Sequence, residues 1–304
     1  MDCIKIQSKK IKAWSKELGF DACGIAPSHP LEIAKKRFEK SIRKGYHGNM
    51  QFLERDIERR FSPELLLSNC KSVIVVILNY NTTLQFLPKH SIARFALLND
   101  YHIYIQQKLS TLLERIKQEI PTINAKTTVD TSSISEKNWA VEAGLGHIGK
   151  NGLLITAQGS FVHIGTILID KECDHYDQPC KNNCGTCNKC IQNCPTQAIE
   201  EAHCINASKC ISYQTIENKN PDYQLLKEQT WIYGCDICQE VCPYNQKIRN
   251  NETIISETSL FLQLNMEELE NLSEEDFRHY FQRSGIKRRK YKIFKEIIKN
   301  RKHD

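Results

Sequence analysis

The stretch Cys184-Gly-Thr-Cys187-Asn-Lys-Cys190-Ile-Gln-Asn-Cys194-Pro195 carries four cysteines at the spacing C-x2-C-x2-C-x3-C-P. In bacterial ferredoxins this spacing binds a [4Fe–4S] cluster through three thiolates, and the fourth cysteine ligates a second cluster. A second ligand set is therefore required, and it is present as Cys210 followed by Cys235-x2-Cys238-x3-Cys242-Pro243. The sequence predicts a ferredoxin-like module with two [4Fe–4S] clusters.

Each motif is expected to give its last cysteine to the other cluster, and this exchange fixes the expected assignment. Cluster one takes Cys184, Cys187, Cys190 and Cys242, and cluster two takes Cys210, Cys235, Cys238 and Cys194. Structural zinc is the alternative, since paired C-x2-C units also form four-cysteine zinc sites. Zinc does not explain the doubled x3-Cys-Pro. Lone thiols are more often small buried hydrophobic residues than ligands, so Cys173, Cys180 and Cys204 are left out.

Cysteine usage also divides the 304-residue chain. Eleven of its fourteen cysteines lie between Cys173 and Cys242, and this predicts a boundary near residue 170. The expected domains are 1–170, 171–250 and 251–304. The longest apolar run, Val73 to Leu78, has six residues, whereas a bilayer span needs ~20. With no apolar stretch of signal-peptide length at the N-terminus, a cytoplasmic protein without membrane contact is expected, where disulfides are rare.

The region before the cysteines has mixed helix and strand patterns, so the predicted fold class is α+β (mixed α/β) with a short helical C-terminus. Ser72 to Tyr80 is continuous and β-branched, as in a strand covered on both faces. Leu153–Thr156 and Phe161–Asp170 are expected to pair around Gln158-Gly159. The other expected elements are helices 4–18, 31–44, 100–120 and 135–143, with Ser135 as a cap, and strands 22–26 and 126–129.

The segment Gly144 to Gly149 satisfies G-x-G-x-x-G and, read on to Asn151, nearly satisfies a phosphate-binding loop. Both motifs need a strand before the glycines and a helix after them. Here a predicted helix precedes the glycines and a predicted strand follows them. Asn151 also stands where a phosphate-binding loop requires Ser or Thr. A glycine-rich helix exit that allows close backbone approach is the favoured interpretation.

Asp130 is the candidate acid of the first domain. It follows a predicted strand, and strand ends collect active-site residues in α/β sheets. The alternative is that Asp130 only caps a turn with Thr131 and Ser132. A pure electron carrier can be much shorter, so the 170 residues before the clusters are expected to bind whatever receives the electrons.

Basic charge is concentrated at the C-terminus. Residues 283–304 sum to +8, while the whole chain is +6, so the remainder is −2. Such a segment favours a polyanionic partner, RNA or DNA first, although a solvated helix face is the alternative. A pattern of apolar residues could seat a helix while its lysines face outward: Ile286, Tyr291, Ile293, Phe294, Ile297 and Ile298.

Several stretches together resemble the epoxyqueuosine reductases, which complete queuosine in tRNA. The resemblance covers roughly residues 5 to 290. The matching stretches are Asp56–Pro63, Arg94–Ala96 with Asp100–His102, Val129–Thr131, Ala143–Asn151, Cys194–Ile199, Cys210–Tyr213 and Tyr233–Gln239.

This resemblance implies a cobalamin, resting as cob(II)alamin, between the first domain and the ferredoxin-like module. Asp130 matches the family's proton donor, the general-acid role. The implied cobalamin contacts are Arg60, Ala93, Asp130, Leu154, Ile164, Ser212, Cys235 and Asp236. One departure is Leu97-Leu98-Asn99 before Asp100-Tyr101-His102, where the family usually has a glycine. The family's C-terminal helical repeats, which grip tRNA, are also expected to be absent.

The resemblance implies reduction of epoxyqueuosine at the wobble position of tRNA by a monomer supplied by an external low-potential electron donor. Lys287, Arg288, Arg289 and Lys290 are expected to contact tRNA phosphates. Two alternatives stay open. One is a related corrinoid reductase of a small molecule, such as a dehalogenase, and the other is a non-enzymatic two-cluster electron carrier.

Overall fold

The computed structural model describes residues 5–84, 91–130, 132–181, 183–251 and 259–302. The strands are β1 (Ala22–Pro27), β2 (Ser72–Asn79), β3 (Ala125–Thr128), β4 (Gly146–Ile148), β5 (Leu154–Thr156), β6 (Val162–Ile169), β7 (Ile199–Glu201) and β8 (Cys204–Ile205). The helices are α1 (Ser8–Glu17), α2 (Glu32–Arg43), α3 (Ile57–Phe61), α4 (Tyr101–Glu119), α5 (Glu136–Glu142), α6 (Lys189–Gln192), α7 (Ile211–Ile216), α8 (Tyr223–Leu226), α9 (Ile237–Glu240), α10 (Met266–Asn271), α11 (Glu274–Tyr280) and α12 (Tyr291–Asn300).

Strand β2 organises the first domain. It lies inside a four-stranded sheet of order β1-β2-β6-β3, and all eight of its residues are buried. Because side chains alternate along a strand, Ile74, Val76 and Leu78 enter a core that includes α1 and α4 residues. The intervening Val73, Val75 and Ile77 enter a second core that includes α5 residues. The prediction of a strand covered on both faces is confirmed.

Two expectations about this sheet are wrong. Leu153–Thr156 and Phe161–Asp170 do not pair as a hairpin, because β5 pairs with β4 while β6 pairs with β2 and β3. Only an isolated bridge between Thr156 and Gly159 remains at the expected turn. Every pairing in the sheet is antiparallel. The strand-end rule for parallel α/β sheets therefore does not apply to Asp130, although Asp130 does follow β3 closely.

Helix ends follow the local sequence closely. Asp100 is the N-cap of α4 and accepts a hydrogen bond from His102 N. Ser135 occupies the N-cap position of α5, but its hydroxyl accepts from the Asn138 side chain instead of capping the helix. Both helices thus begin at the expected residues, but the prediction that Ser135 caps α5 is wrong.

The C-terminal helices share one hydrophobic core with part of the ferredoxin-like module and with residues 92–97. Ile286, Phe294, Ile297 and Ile298 are buried in this core, as the apolar pattern predicted. Tyr291 is half-buried against it. This packing fixes where the basic segment lies relative to the rest of the chain. In the part of the chain that the structure describes, no helix combines the length and apolar character needed to cross a membrane.

Candidate active site and cluster cavities

The four cysteines assigned to cluster one line a single cavity of about 240 Å³. Cys184, Cys187 and Cys190 come from the loop before and the start of α6, and Cys242 arrives from beyond α9. We call this space the cluster-one cavity. Its other lining residues include Lys150, Asn151 and Tyr244.

The four cysteines assigned to cluster two line a second cavity, of about 330 Å³. These are Cys194, Cys210, Cys235 and Cys238, and we call the space the cluster-two cavity. Burial raises the pKa of the Cys210, Cys235 and Cys238 thiols. Ligation to iron offsets this cost, because a metal-bound thiol is held deprotonated.

The exchange of fourth ligands follows from two short helices. Cys190 lies in α6 and Cys194 lies just beyond it, while Cys238 and Cys242 stand in the same relation to α9. Four residues advance by about 6 Å along a helix. Since α6 and α9 pack together, each helix delivers one thiol to each cavity.

The thiols surround spaces instead of converging on a point. Within the described ranges, no group of three or more Cys, His, Asp or Glu is placed to hold a single metal ion. A tetrahedral zinc site would need four sulfurs at about 2.3 Å from one ion, whereas a four-iron cube holds its thiolates further apart. Cys173, Cys180 and Cys204 line neither cavity.

Asp130 lines a third cavity, of about 280 Å³, at the edge of the first domain. It follows β3 with a left-handed backbone, φ 53°. Tyr101 Oη donates a hydrogen bond to Asp130 Oδ2 at 3.0 Å, and His102 Nε2 lies 3.6 Å from the same oxygen. The second ring nitrogen of His102 lies 2.6 Å from Asp100 Oδ1. We call this space the Asp130 cavity.

The two carboxylates determine where the proton sits. Hydrogen bonds to Asp100 and Asp130 raise the pKa of His102 to about 9. His102 in turn lowers the pKa of Asp130, more than burial raises it. The Asp130 side chain is 60% exposed, so water also supports its charged form. At neutral pH the pair is therefore an imidazolium beside a carboxylate.

Another acid lies beside this pair. Glu136, at the start of α5, accepts a hydrogen bond from Asp130 N at 2.9 Å. Burial raises the pKa of Glu136 to about 8. The contact supports the left-handed backbone at Asp130. The turn-cap alternative for Asp130 is not supported by its side-chain contacts, although Thr131 lies outside the described residues.

Six of the eight expected cobalamin contacts line two neighbouring cavities. Arg60, Asp130 and Ile164 line the Asp130 cavity, and Ser212, Cys235 and Asp236 line the cluster-two cavity. Leu154 and Ala93 line neither and are 3% and 1% exposed. Ala93 still lies beside this space, since its Cβ is close to Gly234.

Unpartnered polar atoms mark the Asp130 cavity as a ligand site. Arg60 Nε and His163 Nε2 are buried without a hydrogen-bond partner in the described residues. The His163 ring stacks on Tyr101, and its burial lowers the pKa of His163 to about 3, so the ring is neutral. Buried polar atoms without partners are uncommon in proteins and call for an ordered water or a ligand. A cofactor with polar groups at its rim fits this arrangement.

The three cavities form a row. Asn151 lines both cluster cavities, and Lys137 lines both the cluster-two cavity and the Asp130 cavity. Part of the Lys137 side chain is exposed, but its amino group donates to Gly152 O, and desolvation lowers its pKa. The order is cluster one, cluster two, Asp130.

Comparisons with known proteins agree with this arrangement. Residues 183–245 match the 4Fe-4S double cluster binding domain, and residues 60–131 match the family "Epoxyqueuosine reductase QueG, DUF1730". An epoxyqueuosine reductase of Cellulophaga algicola is 38% identical over 98% of this chain and 99% of its own length. One from Synechocystis is 38% identical over 87% of this chain and 94% of its own length.

This chain belongs to the epoxyqueuosine reductase family. A crystal structure of an epoxyqueuosine reductase with an epoxyqueuosine-modified tRNA stem loop superposes with TM-score 0.86 at 28% identity, covering 96% of this chain and 80% of that one. The chain is thus an oxidoreductase with a 4Fe-4S double cluster binding domain. The non-enzymatic electron carrier and the dehalogenase interpretations are set aside.

The glycine-rich segment of this reductase has a structural explanation. A Cβ atom on Gly146 would lie 2.1 Å from Ile155 O, so only glycine permits the pairing of β4 with β5. Lys150 Nζ then donates to Gly185 O and Asn188 Oδ1, both at 2.8 Å. The segment therefore anchors the loop that carries Cys184 and Cys187, and the expectation of close backbone approach is confirmed.

Sequence reasoning missed most partners of Asp130. Tyr101, His102 and Glu136 were given no role, nor was the buried His163. The available signal was the run Asp100-Tyr101-His102 at a helix start, where a cap and a titratable ring lie close together. Nothing in the sequence indicated that this run would meet Asp130.

The basic segment of the reductase divides into two groups. Arg288 lines a fourth cavity, of about 190 Å³, together with Asp130, His102 and Glu217, and we call this space the Arg288 cavity. Arg289 is 5% exposed, and its guanidinium donates to the carbonyl oxygens of residues 214, 216 and 218. The expectation that Arg289 contacts phosphates is therefore wrong, because its donors are used to hold the end of α7.

Proposed function

We propose that this chain reduces epoxyqueuosine to queuosine in tRNA, with cobalamin held across the Asp130 and cluster-two cavities. The single observation that carries the proposal is the row of three cavities. Eight thiols, six of the expected cobalamin contacts and an exposed acid line this row in turn, which supports a path for electrons from the clusters to a substrate.

The thiols would hold two [4Fe–4S] clusters, which would supply one-electron transfer. The ligands would be Cys184, Cys187, Cys190 and Cys242 for the first cluster and Cys194, Cys210, Cys235 and Cys238 for the second. When bound, cobalamin would be held by Arg60, Ile164, Ser212 and Asp236, which line the two cavities. Ala93 and Leu154 are the further expected contacts. When bound there, cobalamin would supply a strongly reducing cobalt.

Removal of the epoxide oxygen consumes two electrons and two protons, breaks both C–O bonds and releases water, leaving the cyclopentene. We assign the first proton to Asp130. Its carboxylate is the exposed member of the network, so it reaches the substrate oxygen, while His102 stores the proton behind it. Substrate that displaces water around Asp130 raises its pKa, so that the proton passes from His102 through Asp130 to oxygen.

The tRNA lies on the Arg288 side in this proposal. Asp100 N donates to Arg283 O at 2.7 Å, and Asn99 forms an isolated β-bridge with Ser284. This pairing places the exposed basic residues Arg283, Lys287 and Arg288 next to the Asp130 site. Phosphates that flank the modified nucleotide would bind there.

Anaerobic purification with added cobalamin tests the proposal. We expect iron for two [4Fe–4S] clusters, one bound cobalamin and conversion of epoxyqueuosine tRNA. Asp130→Asn keeps the shape but removes the proton, so cobalamin should still bind while turnover falls by ~10²–10⁴. Asp170→Asn, at the end of β6 and outside the cavities, is the matched control. Wild-type turnover in Asp130→Asn at saturating tRNA would exclude the role.

A further inference from the structure

The two stretches that supply the cluster-one thiols carry basic but no acidic residues. Residues 178–199 and 241–251 contain no Asp or Glu. Lys181, Lys189 and Lys247 in these stretches are exposed, and Lys150 lines the cavity itself. Within the described ranges, none of the three exposed lysines forms an ion pair. We call Lys150, Lys181, Lys189 and Lys247 the cluster-one rim.

Other lysines near the module are neutralised. Lys44 pairs with Glu201 at 2.6 Å, and Lys209 pairs with Glu200 at 2.8 Å. The cluster-one rim, whose lysines have no acidic partner among the described residues, therefore differs from the surface at Glu200 and Glu201, where Lys44 and Lys209 are paired.

The cluster-one cavity lies at the end of the row that is away from the Asp130 cavity. Tyr244, 39% exposed, covers it by donating from its hydroxyl to Asn183 O. The cluster-two cavity is the middle one of the row, since it shares Asn151 with the cluster-one cavity and Lys137 with the Asp130 cavity. Electron transfer slows steeply with distance, so an external donor must approach the cluster-one rim.

This rim lies at the opposite end of the row from the substrate. No residue that lines the cluster-one cavity also lines the Asp130 cavity or the Arg288 cavity. A donor could therefore dock here while tRNA occupies the other end.

We propose that the cluster-one rim docks a small acidic electron-carrier protein. Complementary charge speeds such an encounter and orients the carrier over Tyr244 and the cluster-one thiols. Each encounter moves one electron, so the carrier is oxidised by one electron and the first cluster is reduced by one. Two encounters supply one epoxide reduction. The inference rests on the proposed function, which makes the clusters the entry for electrons.

The test uses the loaded enzyme and a reduced plant-type [2Fe–2S] ferredoxin as the acidic probe. In the triple variant Lys181→Glu, Lys189→Glu, Lys247→Glu, we expect ferredoxin affinity and the rate of cluster reduction to fall at least about tenfold. The dependence of the rate on salt should flatten, because steering by opposite charges is lost. Binding is measured by titration and cluster reduction by anaerobic stopped-flow.

A matched variant reverses three exposed lysines on α1 and α2, Lys9, Lys16 and Lys36, and should leave the ferredoxin rate unchanged. Reduced methyl viologen, a small cation, should reduce both variants at least as fast as wild type, which shows that the clusters are intact. An unchanged ferredoxin rate in the rim variant overturns the proposal. Weakened tRNA binding with an unchanged ferredoxin rate assigns the rim to nucleic acid instead. Failure of wild type to convert tRNA even with viologen would count against the proposed function alone.

Discussion

The cluster cavities and the Asp130 site are built in different ways. Each cluster cavity draws its thiols from short motifs with fixed spacing, and the eight cysteines line the two cavities as the spacing predicted. The Asp130 site draws Tyr101 and His102 from α4, Glu136 from α5 and His163 from β6. Local sequence therefore specifies the cysteine-lined end of the molecule, whereas tertiary packing assembles the Asp130 site.

Cys242→Ala gives the largest expected effect and tests the local half of this comparison. Although Cys242 belongs to the motif of Cys235 and Cys238, its loss should destroy cluster one and abolish turnover. Because ligation also organises the fold of the module, stability should fall. EPR and iron analysis measure the loss, and Cys204→Ala serves as the control. Loss of cluster two alone would contradict the assignment.

Arg289→Met tests whether tertiary packing gives Arg289 a structural role that its neighbour Arg288 lacks. Removing its guanidinium leaves three carbonyls at the end of α7 without donors. We expect the free energy of unfolding to fall by about 2–4 kcal/mol. Urea denaturation measures this loss. The single variant Arg288→Met is the control, and its free energy of unfolding should equal that of wild type because Arg288 is exposed. Equal destabilisation by both changes would remove the distinction.

His102→Gln tests the proton store behind Asp130. Turnover should fall roughly tenfold at neutral pH, less than the ~10²–10⁴ for loss of a direct donor. In wild type, turnover should decline as the pH rises through about 9, where His102 loses its proton, and this decline should vanish in the variant. The stability that His102 contributes is likewise complete below pH ~6.5 and lost through about 9. A pH–rate profile that is identical in both proteins would remove His102 from the proton path.

Charge reversal of Lys287, Arg288 and Lys290, with Arg289 kept, gives the smallest expected effect per residue. Each lost phosphate contact should lower the log–log slope of tRNA affinity against salt by ~0.7–0.9. Reduction of a free epoxyqueuosine nucleoside, if measurable, should be spared. Filter binding at several salt concentrations measures the slope. An unchanged affinity and slope would place the tRNA elsewhere on the protein.

Part of the fold was also within reach of the sequence. The buried run Ser72 to Asn79, the cap at Asp100 and the apolar stripe of α12 follow from local patterns, because burial periodicity and capping depend on neighbouring residues. The sequence did not indicate which strands pair with each other, and the expected hairpin between β5 and β6 was wrong. Strand pairing depends on which distant segments meet, and turn residues such as Gln158-Gly159 do not decide it alone.

The sequence by itself indicated which cysteines share each cavity, because metal chemistry needs fixed residue types at fixed spacing along a few turns of chain. It also indicated Asp130 as an acid after a strand. Only the tertiary structure decided that His102 and Tyr101 face Asp130, that Arg288 lies at the site while Arg289 supports α7, and that the cavities lie in a row. Those relations join residues far apart in the chain, and they exist only once the two halves pack together.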